Sequence, residues 1–268
     1  MNFPAYLKHL RQQGKRVFTV NQVMLDLNLS YNAALAAISR TKEQGNVISP
    51  AKGFYIIIPP EYQLYGSIPA EELVPLLMDH LHVDYYVSLL SAALYYGAAH
   101  QKAANFQLIS NKRFKHPLEF GQVRIECIYK KSIENLPIVQ RVVSTGYLNV
   151  ASSELTSLDL FLYSEKSGGL NHIATVLSEL IEAIDPNKLI VVAESVKQKT
   201  WLQRLGYMLE KIDSMDNTKS TVIIDTISAY LKDKNIAFIP LAAELPITGA
   251  ARSKKWKIIE NTSIESDI

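Results

Sequence analysis

His80 and His82, with Asp79 and Asp84 close by, are the residues whose types come nearest to a set of metal ligands. They lie in a stretch of helical pattern, where residues two apart point to different sides, so they are expected as ordinary helix-surface histidines. His100, after Gly97, Ala98 and Ala99, is expected as a hydrogen-bonded structural residue rather than a general base. Glu126 in a strand-like run followed by Lys130 has the start of a nuclease-type core, but no paired acid stands at a fitting place. Cys127 alternates with Val123, Ile125 and Tyr129 in QVRIECIYKK and reads as a buried small hydrophobe. As the single cysteine it excludes an intramolecular disulfide and a Cys-rich zinc site. Phosphate-cradling glycine loops, the metalloprotease helix motif and the nucleophile elbow are all missing. The expectation is a chain without catalysis, metal or cofactor.

A different chemistry is present near the start. Lys15, Arg16, Tyr31, Asn32, Ser39, Arg40, Lys42 and Lys52 are types that neutralise phosphates or bond base edges. The elements that would hold them can be read in order. Residues 2–13 carry Phe3, Tyr6, Leu7 and Leu10 at helical spacing and end at Gly14. Thr19 caps a short helix with Val20, Val23, Met24 and Leu27 on its apolar side, and Asn28-Leu29 turns the chain. Ser30 caps SYNAALAAISRTKEQ, whose Ala34, Leu35, Ile38 and Thr41 face a core, and Gly45 closes it. Two β-prone runs, residues 47–48 and 54–58, flank a turn at 49–53. Helix, helix, turn, helix and β-hairpin in that order predict a winged helix-turn-helix. Its third helix is the reading element, with Asn32 on base edges, Lys52 at the wing tip and the other cations along the backbone.

Charge is split along the chain. Residues 1–60 hold seven Lys/Arg and two acids, a net of +5, so the remaining 28 − 7 = 21 basic and 26 − 2 = 24 acidic residues give −3. A basic small module on a net-acidic body is the footprint expected for DNA contact; a winged helix used for protein contacts is the competing reading. At 268 residues and 48% apolar the chain is long and apolar enough for two folded domains. They are expected at 1–60 and 70–268, with a Pro/Gly-containing linker at 61–69. The N-terminus shows no signal-peptide pattern. The longest uncharged run, residues 85–101, is too short and too polar for a membrane span. A soluble, reducing, cytoplasmic setting without membrane attachment is expected.

The body reads as mixed α/β. A helix at 71–81 is expected to break or bend near Pro75, and an apolar helix follows with Tyr86, Leu89, Leu90, Ala93 and Leu94 on one side. Strands are expected at 105–111 and 122–131, separated by a basic loop with Lys112, Arg113, Lys115 and His116, and a third extended piece at 141–150. Helices follow at 152–163 and 170–184, the second stopped by Asp185-Pro186, and at 200–212 and 218–232. Residues 188–197 are ambiguous, because LIVV favours strand. The basic tail, Arg252, Lys254, Lys255 and Lys257 around Trp256, could touch a nucleic-acid backbone or an acidic partner. It reads first as a solvated terminal strand with its Trp packed inward.

Several blocks of this sequence resemble the AbiEi-type antitoxins of bacterial type IV (abortive infection) toxin–antitoxin systems. They are FYIIIPPEYQLYGSIP, LLMDHLHVDYYVSLLSAALYYGAAHQKAANFQLIS, TGYLNVASSELTSLDLFLY, SGGLNHIATVLSEL, QRLGYMLE and KWKIIEN, in order from about residue 53 to 261. The resemblance implies an N-terminal winged helix that binds inverted repeats in its own promoter and represses the operon. It also implies a larger C-terminal domain that counteracts a nucleotidyltransferase-like toxin without a stable complex. The DNA-contact residues named above come from the helical pattern, not from a family motif. The alternatives are a regulator or interaction adaptor lacking a toxin, or a nucleic-acid-processing enzyme.

Overall fold

In the computed structural model, residues 1–98, 104–196, 199–212 and 218–264 are described. The chain divides into two compact units. One comprises Met1–Tyr85, Ala104–Ile133 and Gln140–Asn149; the other comprises Tyr86–Ala103, Glu134–Val139 and Val150–Ile268.

The first helix, α1 (Phe3–Gln12), starts at Asn2, whose side chain accepts from Ala5 N at 3.0 Å. Strand β1 (Val17–Thr19) leads directly into α2 (Val20–Leu27). Thr19 and Gln22 form a reciprocal cap: Thr19 N donates to Gln22 Oε1 at 2.8 Å and Gln22 N to Thr19 Oγ1 at 3.3 Å. Asn28 ends α2 in the left-handed region at φ 50°, a conformation asparagine tolerates. Ser30 then opens α3 (Tyr31–Glu43) by accepting from Ala33 N. Strands β2 (Val47–Ala51) and β3 (Phe54–Ile57) form the wing around Lys52-Gly53. The sheet order is β1-β3-β2, all antiparallel. Strand β1 was not expected from the sequence; it joins because Val17-Phe18-Thr19 pairs with Phe54–Ile56 and Phe18 stacks on Tyr55 at 5.4 Å. Phe3, Tyr6, Leu10, Phe18, Ile38 and Ile57 close a common core, each worth about 1.5–3 kcal/mol when fully buried. This is a winged helix-turn-helix.

Residues 61–69 are ordered rather than extended. A 3-10 helix at Pro60–Tyr65 ends at Gly66, and Ser67 and Ile68 are buried. Tyr65 O accepts from Gln122 N at 2.8 Å, and a Cβ at Gly121 would collide with the backbone of Tyr65 and Gly66. The next helix, α4 (Ala70–Leu81), runs through Pro75 without the break that was one of the two outcomes expected there. At that position the proline forfeits one backbone bond, and burial of Leu73, Val74, Leu77 and Met78 holds the helix through it.

Tyr85 to Tyr96 is not one helix. Strand β4 (Tyr85–Val87) comes first, then α5 (Leu89–Ala93) and a 3-10 turn at Leu94–Tyr96. Leu89 takes a positive φ of 54° where strand becomes helix, and the aromatic and β-branched Tyr-Tyr-Val run is strand-prone. Then come β5 (Phe106–Ser110), β6 (Leu118–Phe120), β7 (Val123–Tyr129), β8 (Ile138–Val143) and β9 (Gly146–Ala151). The single extended piece expected at 141–150 is thus a hairpin. The mixed sheet runs β6-β7-β5-β4-β9-β8. β5 pairs in parallel with β7 from Phe106–Ile125 to Ser110–Tyr129, and β4 with β9 at Val87–Val150.

Helix α6 (Ser153–Leu162), capped by Ser152, is buried almost all round. Its Asp159 is fully buried and accepts from Tyr86 Oη at 3.0 Å and Ser88 Oγ at 2.8 Å. Helix α7 (Gly169–Leu180) buries Ile173, Val176, Leu177 and Leu180 as the pattern indicated. Asp185-Pro186 does more than stop the chain. The Asp185 carboxylate accepts from Asn187 N and Lys188 N, and Pro186 begins α8 (Pro186–Ser195). Cap and proline thereby settle the ambiguous LIVV run as helix. After α9 (Thr200–Ile212) and α10 (Thr218–Lys232), strands β10 (Ile239–Pro240), β11 (Ala251–Ser253) and β12 (Ile258–Glu260) make a small sheet ordered β10-β12-β11. Among the described residues no helix is long and apolar enough to cross a membrane.

Candidate nucleic-acid interface

Helix α3 buries Ala34, Ala37, Ile38 and Thr41. At about 3.6 residues per turn, the stripe opposite them consists of Asn32, Ala36, Ser39 and Glu43, all exposed. Arg40 and Lys42 are exposed on opposite flanks of that stripe. A small-residue centre with an amide at its N-terminal end and a cation on each side matches a groove between two phosphate backbones. Tyr31, 53% exposed, sits at the start of the helix close enough to Tyr55 to help raise the Tyr55 phenol pKa, after the larger effect of burial.

The other expected contacts are placed unequally. Lys52 is exposed at the wing tip beside Gly53, whose φ of 74° makes the tight turn. Lys15 is exposed just past α1. Arg16 is half-buried, its carbonyl accepts from Ile57 N at 2.9 Å, and its Nη1 is enclosed without a hydrogen-bond partner. Ser39 donates to Glu43 Oε1 at 3.3 Å. Glu43 is the residue the sequence reading passed over, a carboxylate at the C-terminal end of the exposed stripe; the i, i+4 spacing from Ser39 was the available signal.

The candidates for chemistry elsewhere fall into structural roles. His80 stacks on Phe54 with ring centroids 4.1 Å apart, and His82 takes the left-handed position that ends α4. His100 lies outside the described residues. Among the described residues no three His, Cys, Asp or Glu side chains gather as a metal site. Glu126 accepts from Gln107 Nε2 at 3.5 Å. Cys127, expected as a buried small hydrophobe, is half-buried; burial, then the charge of Glu126, pushes its thiol pKa up to about 12.

The basic tail is a hairpin folded inward. Trp256 is fully buried, its Nε1 donates to Glu210, and Lys255 Nζ pairs with Glu210 Oε1 at 2.8 Å. Gln203 Nε2 donates to the Trp256 carbonyl at 3.0 Å. Gly206 lies directly against the indole, where a Cβ would overlap the ring. Arg252 and Lys257 lie over the Phe238 ring, 5.4 and 5.0 Å from its centroid.

A winged helix followed by a mixed α/β body defines the architecture, and part of that body matches a known family model. Residues 86–211 match the family model of the AbiEi antitoxin C-terminal domain. The fold is also similar to that of the RV2827C protein from Mycobacterium tuberculosis, known from a crystal structure. The TM-score is 0.66 over 95% of this chain and 89% of that one, at 13% identity, a likeness of fold alone. No curated protein sequence matches the chain.

Proposed function

We propose that the chain is a type IV antitoxin and transcriptional autorepressor. Its winged helix binds inverted repeats of double-stranded DNA in its own promoter. Its body counteracts a nucleotidyltransferase-like toxin without a stable complex, in the cytoplasm and without catalysis. The observation that carries this reading is the exposed α3 stripe, flanked by Arg40 and Lys42, in a net-basic module on the same chain as an AbiEi antitoxin domain. Asn32 reads a base edge, while Arg40, Lys42, Lys52 and Lys15 neutralise phosphates. Tyr31 and Ser39 line the approach, and Arg16, half-buried, reaches the backbone only with its exposed atoms.

Lys52 gives the cleanest test of the electrostatic part, since it stands at a tip with few other duties. Each true phosphate contact contributes about 0.9 to the slope of log affinity against log salt on duplex DNA. Lys52→Ala is expected to weaken operator and random duplex alike and to lower that slope by about one. Weaker binding with an unchanged slope would remove Lys52 from the backbone contacts.

A further inference from the structure

The two edges of the mixed sheet are unlike. Strand β6, at one end, is three residues long, with Glu119 on it paired to Arg124 at 3.5 Å. Strand β8, at the other end, is six residues long, with Val142 82% and Val139 40% exposed. Among the described residues no strand lies beside its outer edge. Four of its six residues are apolar, it holds no Pro, and Arg141 is its one charge, so it remains a template for pairing.

The hairpin determines which groups that edge presents. Ser144 and Thr145 alone separate β8 from β9, and Gln140 Nε2 donates to Asn149 Oδ1 at 3.5 Å. In a two-residue hairpin the residues flanking the turn bond each other, and every second pair after them does the same. Val143, Arg141 and Val139 therefore turn their backbone groups toward β9. Val142, Gln140 and Ile138 turn theirs outward.

We propose that β8 pairs antiparallel with β8 of a second copy of this chain, centred on Gln140. A two-fold axis relating two adjacent antiparallel strands stands perpendicular to the sheet, so odd residues face odd ones and even residues face even ones. Centring on Gln140 sets Ile138 against Val142 of the second copy, Gln140 against Gln140, and Val142 against Ile138. Those are the outward-turned residues, so three pairs exchange two backbone bonds each, and the facing side chains read apolar, amide, apolar. Centring on Arg141 would set two guanidinium groups opposite each other at roughly 5 Å between Cβ atoms, which is repulsive. The isologous contact closes at two copies. One strand pair covers less than the ~1,200 Å² of a standard stable interface, so the association depends on concentration. None of this rests on DNA reading or toxin neutralisation.

Cysteine cross-linking tests the register. In a full-length Cys127→Ser background, cysteines introduced by Gln140→Cys face each other with Cα atoms about 5.5 Å apart, within the Cα span of a disulfide. Thiols introduced by Val142→Cys, at a more exposed position, lie about 13 Å apart along the strands. Mild oxidation is expected to give dimer from the first variant and far less from the second. Adding Val142→Lys to the first should remove the dimer. Equal cross-linking of the two variants, or none from Gln140→Cys at any concentration, overturns the proposal. So does a constant monomer mass for the unmodified chain in sedimentation velocity across the same concentrations, whatever the variants do.

Discussion

Asn32 concentrates the specificity argument in one side chain. It is exposed on the first turn of α3, the end that approaches bases when such a helix enters a major groove. An amide there can bond two adjacent acceptor and donor groups of adenine, worth about 1–3 kcal/mol of discrimination. Asn32→Ala is expected to cost about that much on operator DNA while leaving binding to random duplex nearly unchanged. Titration of both duplexes at one salt concentration checks it, and equal losses would show that Asn32 does not read sequence. At this scale the sequence was partly legible. Helical spacing separated the buried Ala34, Ile38 and Thr41 from the exposed Asn32 and Arg40. It could not show the half-burial of Arg16, because the Ile57 strand that covers its backbone comes some forty residues later. Nor did it show that Ser39 is already bonded to Glu43.

Elements with strong end signals were the readable ones. Thr19, Ser30 and Ser152 cap α2, α3 and α6 where the residue types indicated. The misread elements are short apolar runs whose state is set by neighbours in space. Tyr85-Tyr86-Val87 is apolar enough for either helix or strand, and its pairing with β9 makes it a strand. The β8–β9 hairpin was hidden because Ser144-Thr145 is not a characteristic turn pair. The terminal hairpin is held by contacts that no local pattern announces: Trp256 under Gly206, and Lys255 and Trp256 on Glu210. Burial alone would raise the Glu210 pKa, but the bonds from Lys255 and Trp256 outweigh it and bring it below its ordinary 4.5. The carboxylate therefore stabilises the fold above the usual carboxylate range, and that contribution is lost as pH falls through the lowered value. Glu210→Gln is expected to reduce stability near neutral pH by up to about 1 kcal/mol, the scale of a partly exposed pair. The deficit should vanish in acid below the folded pKa, as followed by thermal melting across pH. A deficit that stays constant into acid would mean that charge at Glu210 contributes nothing.

At the scale of the whole molecule, the proposed reading gives DNA contact to the net-basic residues 1–60 and antitoxicity to the body that follows. Residues 1–60 carry the net +5, and the AbiEi-matching segment begins at residue 86. Cutting the chain near residue 70 is a poor way to separate the activities, because Met1–Tyr85 belongs to one compact unit together with Ala104–Ile133. A charge reversal on the exposed flank of α3 keeps the chain full-length and is the sharper instrument. On the proposed interface Arg40→Glu replaces attraction to a phosphate with repulsion, and Arg40 is not among the buried residues of α3. Cells carrying the toxin, the full-length variant and a reporter on the antitoxin promoter report both activities in one culture. The account predicts that Arg40→Glu releases the reporter while growth is rescued as well as by the unmodified chain. Loss of rescue together with repression, in a variant that melts normally, would contradict it and place antitoxicity downstream of DNA binding.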